Sequence, residues 1–305
     1  MASMKRDAGF RSRWMGPKLR SLCLLPFLLT CADAPDAGPE AAPTPRVVSL
    51  VPSLGELVIA LGGEGHLVAR TDYDSHPAIL DLPSLGGGLD PNLEKLVETG
   101  AELVLTMEGR DVPALEARLN EMGIDLLSFS TNTLPDIHAA IRGLGETLGR
   151  QTQADSLSES ISRELDEVGE KVEGREPVRV MYVVSIDPPM TAGPGTFIDE
   201  MIRMAGGRSV FGDLNMGWPT VSFEAIVDRD PALLIWPTAD SLAAQANQLQ
   251  KMPGWREVPA VRNGAVVRVD PNLFSRPGPN FPEAVRTLAE ALHPEAFPTS
   301  AGSVP

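Results

Sequence analysis

The chain has 305 residues, of which 43% are hydrophobic, and this length and composition are typical of one or two globular domains. Its 41 acidic residues exceed its 26 basic residues and give a formal net charge of -15, which argues against binding to nucleic acid phosphates. The same charge opposes adsorption to anionic lipid, and no window reaches the run of about 18 apolar residues that a membrane-spanning helix needs.

The N-terminus has the pattern of an export signal. Six basic residues and one acidic residue lie among the first 30, ahead of and around the start of a short apolar stretch at 22–29. We interpret residues 1–30 as a signal peptide, with Met15 as an alternative start. A buried first helix is the competing interpretation, but Pro26 interrupts the apolar stretch.

Residues 28–31, Leu-Leu-Thr-Cys, are similar to a bacterial lipobox, in which the cysteine becomes the lipid-carrying first residue. Cys31 is therefore the predicted site of lipid attachment. Thr30 departs from the usual Gly, Ala or Ser, and cleavage after Ala34 is the alternative. Residues 31–45 are rich in proline and alanine, which predicts an extended tether. We expect the protein in the periplasm or at the outer face of the cell membrane, with the lipid as its only membrane contact.

From Arg46 onward, short β-branched runs alternate with helical patterns, which predicts parallel strands joined by crossover helices. Ser53 and Glu56 predict a capping box at the start of the first helix. The predicted strands are 46–51, 67–71, 102–106, 124–129, 178–184, 232–236 and 265–269. The predicted helices are 53–61, 91–98, 111–122, 134–149, 196–205, 222–229, 240–250 and 280–292.

One long helix is predicted between the two halves, at 152–174. Its apolar residues recur at steps of three and four, and the remaining positions are mostly polar. A helix of this length spans on the order of 30 Å and can act as a strut between two α/β lobes. A surface helix of a single domain is the alternative. The predicted organisation is an N-terminal lobe at 46–150, a bridging helix at 151–174, a C-terminal lobe at 175–297 and a tail at 298–305.

An internal repeat relates the two halves. Residues 92–98 and the strand after them match residues 222–228 and their strand, with a constant offset of 130. Glu94 and Glu224 occupy equivalent places in the first helical turn of each copy. A single glutamate there commonly only complements the helix dipole, a contribution of a few tenths of a kcal/mol. As a pair, they suggest two outward-facing contact points on a two-lobed protein.

Several short motifs occur in a characteristic order: 46–53, 71–73, 92–94 and 218–224. With them, the chain resembles the class III periplasmic substrate-binding proteins of ABC importers, in the branch that takes vitamin B12 or iron–siderophore complexes. The resemblance covers residues 46–297. It implies an α/β fold of two lobes with mainly parallel sheets, bridged by a single long helix, with a ligand cleft between the lobes and little hinge closure. It also implies a monomer that docks onto arginines of its permease.

The resemblance assigns roles to particular residues. Its docking glutamates correspond to Glu94 and Glu224. Because a corrinoid is a broad apolar disc edged with amides, its receptor needs flat aromatic surfaces, and Tyr73 and Trp218 lie in loops where these are expected. Arg276 is a candidate donor to the ligand, with a loop arginine bonded to carbonyl groups as the alternative.

Two further positions complete the predicted cleft, and two departures widen the choice of ligand. Asp187 follows the first strand of the second half and faces the cleft by topology. Gly87 is assigned to the ligand site within Gly86–Gly88, where vitamin B12 receptors have a cleft tryptophan. Met107 replaces a second tryptophan. Cobalamin is the expected ligand, and a ferric siderophore or haem is the alternative.

Other function classes have less support in the sequence. We find no complete nucleophile, zinc-protease or phosphate-loop motif, so an enzyme is not expected. The chain has four histidines, none at ligand spacing with another, so neither a metal nor a cofactor is expected. A surface-tethered α/β enzyme and a tethered interaction domain remain the alternatives from other classes.

Overall fold

The computed structural model describes residues 45–109, 112–238 and 248–298. The predicted signal peptide, Cys31, most of the tether and tail, and most of the predicted helix at 240–250 lie outside the described residues. Within the described ranges, none of the helices combines the length and apolarity needed to cross a bilayer.

The N-terminal lobe contains a four-stranded parallel sheet, as the sequence predicts. Its strands are β1 (Val47–Ser49), β2 (Leu67–Ala69), β3 (Leu103–Met107) and β4 (Asp125–Phe129), in the order β2-β1-β3-β4. β1 and β3 consist mainly of apolar residues, as expected where helices cover both faces of a parallel sheet. The helices of this lobe are α1 (Pro52–Ala60), α2 (Leu93–Glu98), α3 (Val112–Glu121) and α4 (Leu134–Thr147).

The C-terminal lobe contains a second parallel sheet. Its strands are β5 (Val178–Tyr182), β8 (Gly207–Ser209), β9 (Leu233–Pro237) and β10 (Val266–Val269), in the order β10-β9-β5-β8. A small antiparallel hairpin follows β5 and consists of β6 (Ser185–Ile186) and β7 (Pro189–Met190). The helices are α6 (Phe197–Met204), α7 (Phe223–Arg229), α8 (Gln248–Lys251), α9 (Pro259–Arg262), α10 (Pro271–Phe274) and α11 (Phe281–Leu292).

The long helix α5 (Gln151–Val172) lies between the two sheets in the chain and confirms the predicted amphipathic helix. Its 22 residues span about 33 Å. Ile161, Leu165 and Val168 are buried, and the helix packs against α4 of the first lobe and α6 and α11 of the second. A single apolar cluster contains residues of both lobes and of α5, so the helix joins the lobes through a continuous core.

The predicted capping box in the first helix is wrong. α1 begins at Pro52, and its N-cap residue Val51 has no side-chain capping bond. Proline favours the first helical position because its fixed φ suits the helix and its missing N–H would be unpaired there. Ser53 therefore lies inside the helix, and the carboxylate of Glu56 instead binds Arg276 of the other lobe at 2.8 Å.

Candidate functional site

A cavity of about 650 Å³ lies between the two lobes. Its walls come from the carboxyl ends of the strands in both sheets, the place where open parallel sheets bind ligands. Residues at or after the carboxyl ends of β1, β3, β4, β5, β9 and β10 contribute, including Ser53, Asn132, Val184 and Asn272. The cavity is therefore the candidate ligand cleft.

The two predicted aromatic residues lie in this cleft, one from each lobe. Tyr73 is 65% exposed and Trp218 is 42% exposed, and both line the cavity. The Trp218 ring packs against Phe197 with a centroid distance of 6.2 Å and an interplanar angle of 57°. Large aromatic surfaces exposed on the inside of a cleft are typical of a binding site for an apolar ligand.

Two glycines allow the loops of the cleft to approach neighbouring backbone. A Cβ atom on Gly88 would lie 2.0 Å from the Leu50 carbonyl oxygen, and one on Gly193 would lie 2.2 Å from the Met216 carbonyl oxygen. No side chain fits at either position. A Cβ atom on Gly87 would lie 3.8 Å from Tyr73 Cε2, so Gly87 sits beside the aromatic ring. The close backbone approach at Gly88 thus gives a geometric reason for part of the glycine run, which stands where vitamin B12 receptors have a tryptophan.

Arg276 lines the cleft, but its donors are engaged by the opposite lobe. Its Nη1 donates to Glu56 Oε1 at 2.8 Å and to Ser75 Oγ at 3.1 Å, and its Nη2 donates to the Tyr73 carbonyl oxygen at 2.6 Å. The side chains of Arg276 and Glu56 are each 14% exposed. The alternative interpretation, a loop arginine bonded to carbonyl groups, matches only the contact with Tyr73, since the other two partners are a carboxylate and a hydroxyl group.

Asp187 and Gly87 are not among the described residues that line the cavity. Asp187 is exposed in the turn between β6 and β7, where the peptide bond to Pro188 is cis. Val184, which follows β5 and precedes this hairpin, lines the cavity where topology suggested Asp187.

Sequence reasoning missed several cleft residues. Leu89 lines the cavity and is 83% exposed. Thr131 also lines it, and its buried hydroxyl has no hydrogen-bond partner among the described residues. Asn132 and Asn272 add side-chain amides. For Thr131, Asn132 and Asn272, a position shortly after the strands β4 and β10 was the one signal that could have identified them.

The cleft is close to electrically neutral. Among the described lining residues, Arg276 alone is charged, and the carboxylate of Glu56 compensates it. Across the described parts of the chain, no three His, Cys, Asp or Glu side chains form a group that could hold a metal ion. The arrangement suits a neutral, largely apolar ligand.

The two repeat glutamates occupy matching positions in the structure. Glu94 is in the first turn of α2, where Asn92 Oδ1 caps the helix at 2.9 Å, and Glu224 is in the first turn of α7, where Ser222 Oγ caps it at 3.1 Å. Both glutamates are exposed. A backbone hydrogen bond at Glu224, followed by the bond from Ser222, lowers the pKa of its carboxyl group below the usual range. The sequence repeat therefore corresponds to a repeat of local structure, a helix with a polar N-cap and an exposed glutamate in its first turn.

Known proteins resemble the chain over most of its length. Residues 47–273 match the family described as periplasmic binding protein. The chain is 31% identical over 279 residues to the ABC transporter substrate-binding lipoprotein YvrC of Bacillus subtilis, covering 89% of this chain and 87% of the relative. It is 24% identical over 252 residues to the vitamin B12-binding protein of Vibrio cholerae, covering 82% and 90%.

A solved structure extends the likeness to the fold. The periplasmic haem-binding protein of Pseudomonas aeruginosa matches with a TM-score of 0.74 and 26% identity, covering 84% of this chain and 95% of that one. The family consists of substrate-binding transport proteins and not of enzymes. The chain belongs to the periplasmic binding protein family, as a solute-binding protein of an ABC importer.

Proposed function

We propose that the protein captures a cobalamin-like corrinoid in the cleft and delivers it, chemically unaltered, to the permease of an ABC importer. The observation that carries this proposal is an electrically balanced cleft with an exposed aromatic ring from each lobe. The vitamin B12-binding relative of Vibrio cholerae supports it.

The chemistry of the cleft walls fits the two parts of a corrinoid. Tyr73 and Trp218 offer flat surfaces to the apolar disc, and each buried aromatic contact contributes about 0.5 to 1.5 kcal/mol beyond its area. Asn132 and Asn272 can pair with the amides at the edge of the ring, and the Thr131 hydroxyl has a donor to offer. Pairing of the Thr131 hydroxyl would satisfy a polar atom that is costly to leave buried alone.

Charge distinguishes a corrinoid from haem and from siderophores as the ligand of this cleft. Haem carries two propionates and catecholate siderophores carry several negative charges, so a receptor for either gains from free cationic side chains. Arg276, the one charged residue among the described lining residues, is already paired with Glu56. Burial of an unpaired anion is strongly unfavourable, which favours the amide-edged ligand.

Haem is the second candidate, because of one specific side chain. The exposed phenol of Tyr73 faces the cavity, and a tyrosine oxygen can ligate ferric haem. The haem-binding structural relative supports this alternative. The two ligands make opposite demands on Tyr73: a corrinoid needs its ring, whereas haem needs its hydroxyl group.

Calorimetric titration of the full chain with cyanocobalamin, haemin and a ferric catecholate siderophore tests the proposal. We expect saturation by cyanocobalamin at one per chain with a Kd of about 1 μM or tighter. Tyr73→Phe is the matched control, because it keeps the ring and should leave corrinoid affinity within about twofold. Saturation by haemin that Tyr73→Phe abolishes, with no heat from cyanocobalamin, would contradict the proposal.

We also propose that Glu94 and Glu224 dock onto arginines of the permease, one per lobe. Carboxylate–arginine pairs are charge-assisted and can be bidentate, and two contacts on separate lobes fix orientation better than one. The matching exposed positions of the two glutamates in α2 and α7 support this assignment.

Lipid attachment at Cys31 is a separate proposal, supported by the lipoprotein relative of Bacillus subtilis. A two-chain lipid anchor is sufficient to hold a folded domain at a membrane. Cys31→Ser should move the protein from the membrane fraction to the soluble fraction and abolish incorporation of labelled palmitate. Unchanged palmitate incorporation would contradict the assignment.

A further inference from the structure

Arg276 makes an unusual set of contacts for a residue of a loop. It belongs to the C-terminal lobe, yet Glu56, Tyr73 and Ser75, its hydrogen-bond partners, are all in the N-terminal lobe, more than 200 residues away in the chain. The guanidinium group lines the cleft and bonds to the opposite lobe. It thus joins the two cleft walls directly.

The loop that carries Arg276 is anchored on both sides. In its own lobe, Tyr182 Oη donates to the Phe274 carbonyl oxygen at 3.1 Å. Against the other lobe, a Cβ atom on Gly278 would lie 3.4 Å from the Ser53 carbonyl oxygen, so the loop backbone runs close to α1. Arg276 therefore extends from a fixed base.

The contact with Tyr73 links Arg276 to the ligand surface. The Tyr73 side chain is 65% exposed, so ring packing restrains it weakly. Its backbone is held instead: the N–H donates to Thr71 Oγ1 at 3.2 Å, and the carbonyl oxygen accepts from Arg276 at 2.6 Å. One of these two restraints comes from the opposite lobe.

We propose that Arg276 is a positioning residue: it latches the two lobes together through Glu56 and the Tyr73 carbonyl, and so sets the place of the Tyr73 ring and the width of the cleft. Arg276 then acts on the ligand through Tyr73 and not as a direct donor. The effect on ligand binding rests on the proposed corrinoid function, whereas the effect on Tyr73 does not.

The variants must separate positioning from stability. Removing one partner of a largely buried ion pair leaves an uncompensated charge and destabilises the fold, whereas replacing both partners is often neutral. We therefore compare Arg276→Met, Glu56→Gln and the double variant. The double variant should regain most of the thermal stability that each single variant loses. Arg286→Met is the matched control, because the 3.4 Å pair of Arg286 with Glu167 lies outside the cleft.

The position of Tyr73 can be followed without any ligand. The chain has two tyrosines, so incorporation of fluorotyrosine gives two ¹⁹F resonances, an exposed one from Tyr73 and a buried one from Tyr182. We expect the Tyr73 resonance to shift and broaden in the double variant while the Tyr182 resonance stays. An unchanged Tyr73 resonance, or equal changes in both, would overturn the latch.

Ligand kinetics give the functional measurement. Stopped-flow dissociation of cyanocobalamin from the full chain should be about tenfold faster in the double variant, equivalent to about 1.4 kcal/mol, and unchanged in Arg286→Met. A wild-type dissociation rate in a double variant with wild-type stability would contradict the proposal. If wild-type protein binds no cyanocobalamin, the corrinoid function fails, and the ¹⁹F measurement still decides the latch.

Discussion

The two aromatic walls of the cleft are held in different ways. Trp218 packs against Phe197 within its own lobe, at a centroid distance of 6.2 Å. Tyr73 is more exposed and is held through its backbone by Arg276 from the opposite lobe. The place of the Trp218 ring is therefore independent of the arrangement of the lobes, whereas the place of the Tyr73 ring depends on it.

The helices α2 and α7, which we propose dock onto the permease, show the opposite relation between the lobes. α2 and α7 each begin with a polar cap and place an exposed glutamate in the first turn. The parts of the protein proposed to meet the permease are therefore alike, and the parts proposed to meet the ligand differ. A two-part partner and a single asymmetric ligand would select for this difference.

The largest expected effect is a loss of ligand uptake after charge reversal in the helices α2 and α7. Glu94→Arg together with Glu224→Arg should reduce ligand uptake into cells to background, because each reversed charge would repel a permease arginine. The purified variant should still bind the ligand. Asp155→Arg with Glu290→Arg, at two other exposed acids, makes the same change in net charge and should leave uptake near wild type. Normal uptake by the first variant would contradict the docking assignment.

The stability of the folded protein should depend on pH through Tyr182, which anchors the base of the Arg276 loop. Burial raises the pKa of Tyr182 to about 12, while a hydrogen bond with Ser275 opposes this shift. The unfolded chain loses the tyrosine proton near pH 10, so the folded state loses roughly 2 to 3 kcal/mol of relative stability as the pH rises toward 12. Denaturation of Tyr182→Phe across this range should show a smaller loss, and Tyr73→Phe serves as control. Equal losses in wild type and Tyr182→Phe would exclude Tyr182 as the source.

Removal of the Trp218 ring, which packs within its own lobe, should weaken ligand binding strongly. Trp218→Ala should cost about 2 kcal/mol of binding free energy, or roughly 30-fold in Kd, as central aromatic contacts commonly do. Trp218→Phe should recover part of this loss because a ring remains. Titration calorimetry measures both. A Kd within twofold of wild type in Trp218→Ala would place the ligand elsewhere.

Removal of the Tyr73 ring, which is held from the opposite lobe, should have the smallest effect on ligand affinity. Tyr73 is more exposed than Trp218, so Tyr73→Ala should cost about 1 kcal/mol, or roughly fivefold in Kd. In the Arg276→Met/Glu56→Gln background the same change should cost less, because the ring is already misplaced. Strict additivity in this double-mutant cycle would argue that Arg276 and Tyr73 act independently.

Much of the fold could be predicted because parallel strands buried on both faces leave apolar runs in the sequence. β8 and the hairpin β6–β7 were missed for the same reason: Gly-Arg-Ser at 207–209 has no apolar run, and each hairpin strand has two residues. β8 forms by pairing with β5, whereas the two hairpin strands pair with each other. The capping box failed because Pro52 begins the helix one residue earlier.

The candidate site was predictable only in part. Tyr73 and Trp218 could be placed because the family resemblance puts aromatic residues in these two loops, one in each half of the chain. The engagement of Arg276 could not, since its partner Glu56 lies 220 residues away, and no local pattern records such a contact. The absence of Asp187 from the described residues that line the cavity is likewise a tertiary feature.

The position of cobalt in crystals grown with cyanocobalamin tests the account most directly, because the metal gives an anomalous signal of its own. We expect one strong peak between the rings of Tyr73 and Trp218, with Arg276 still paired to Glu56. A peak outside this cleft, or an Arg276 side chain that has left Glu56 to bind the ligand, would contradict it.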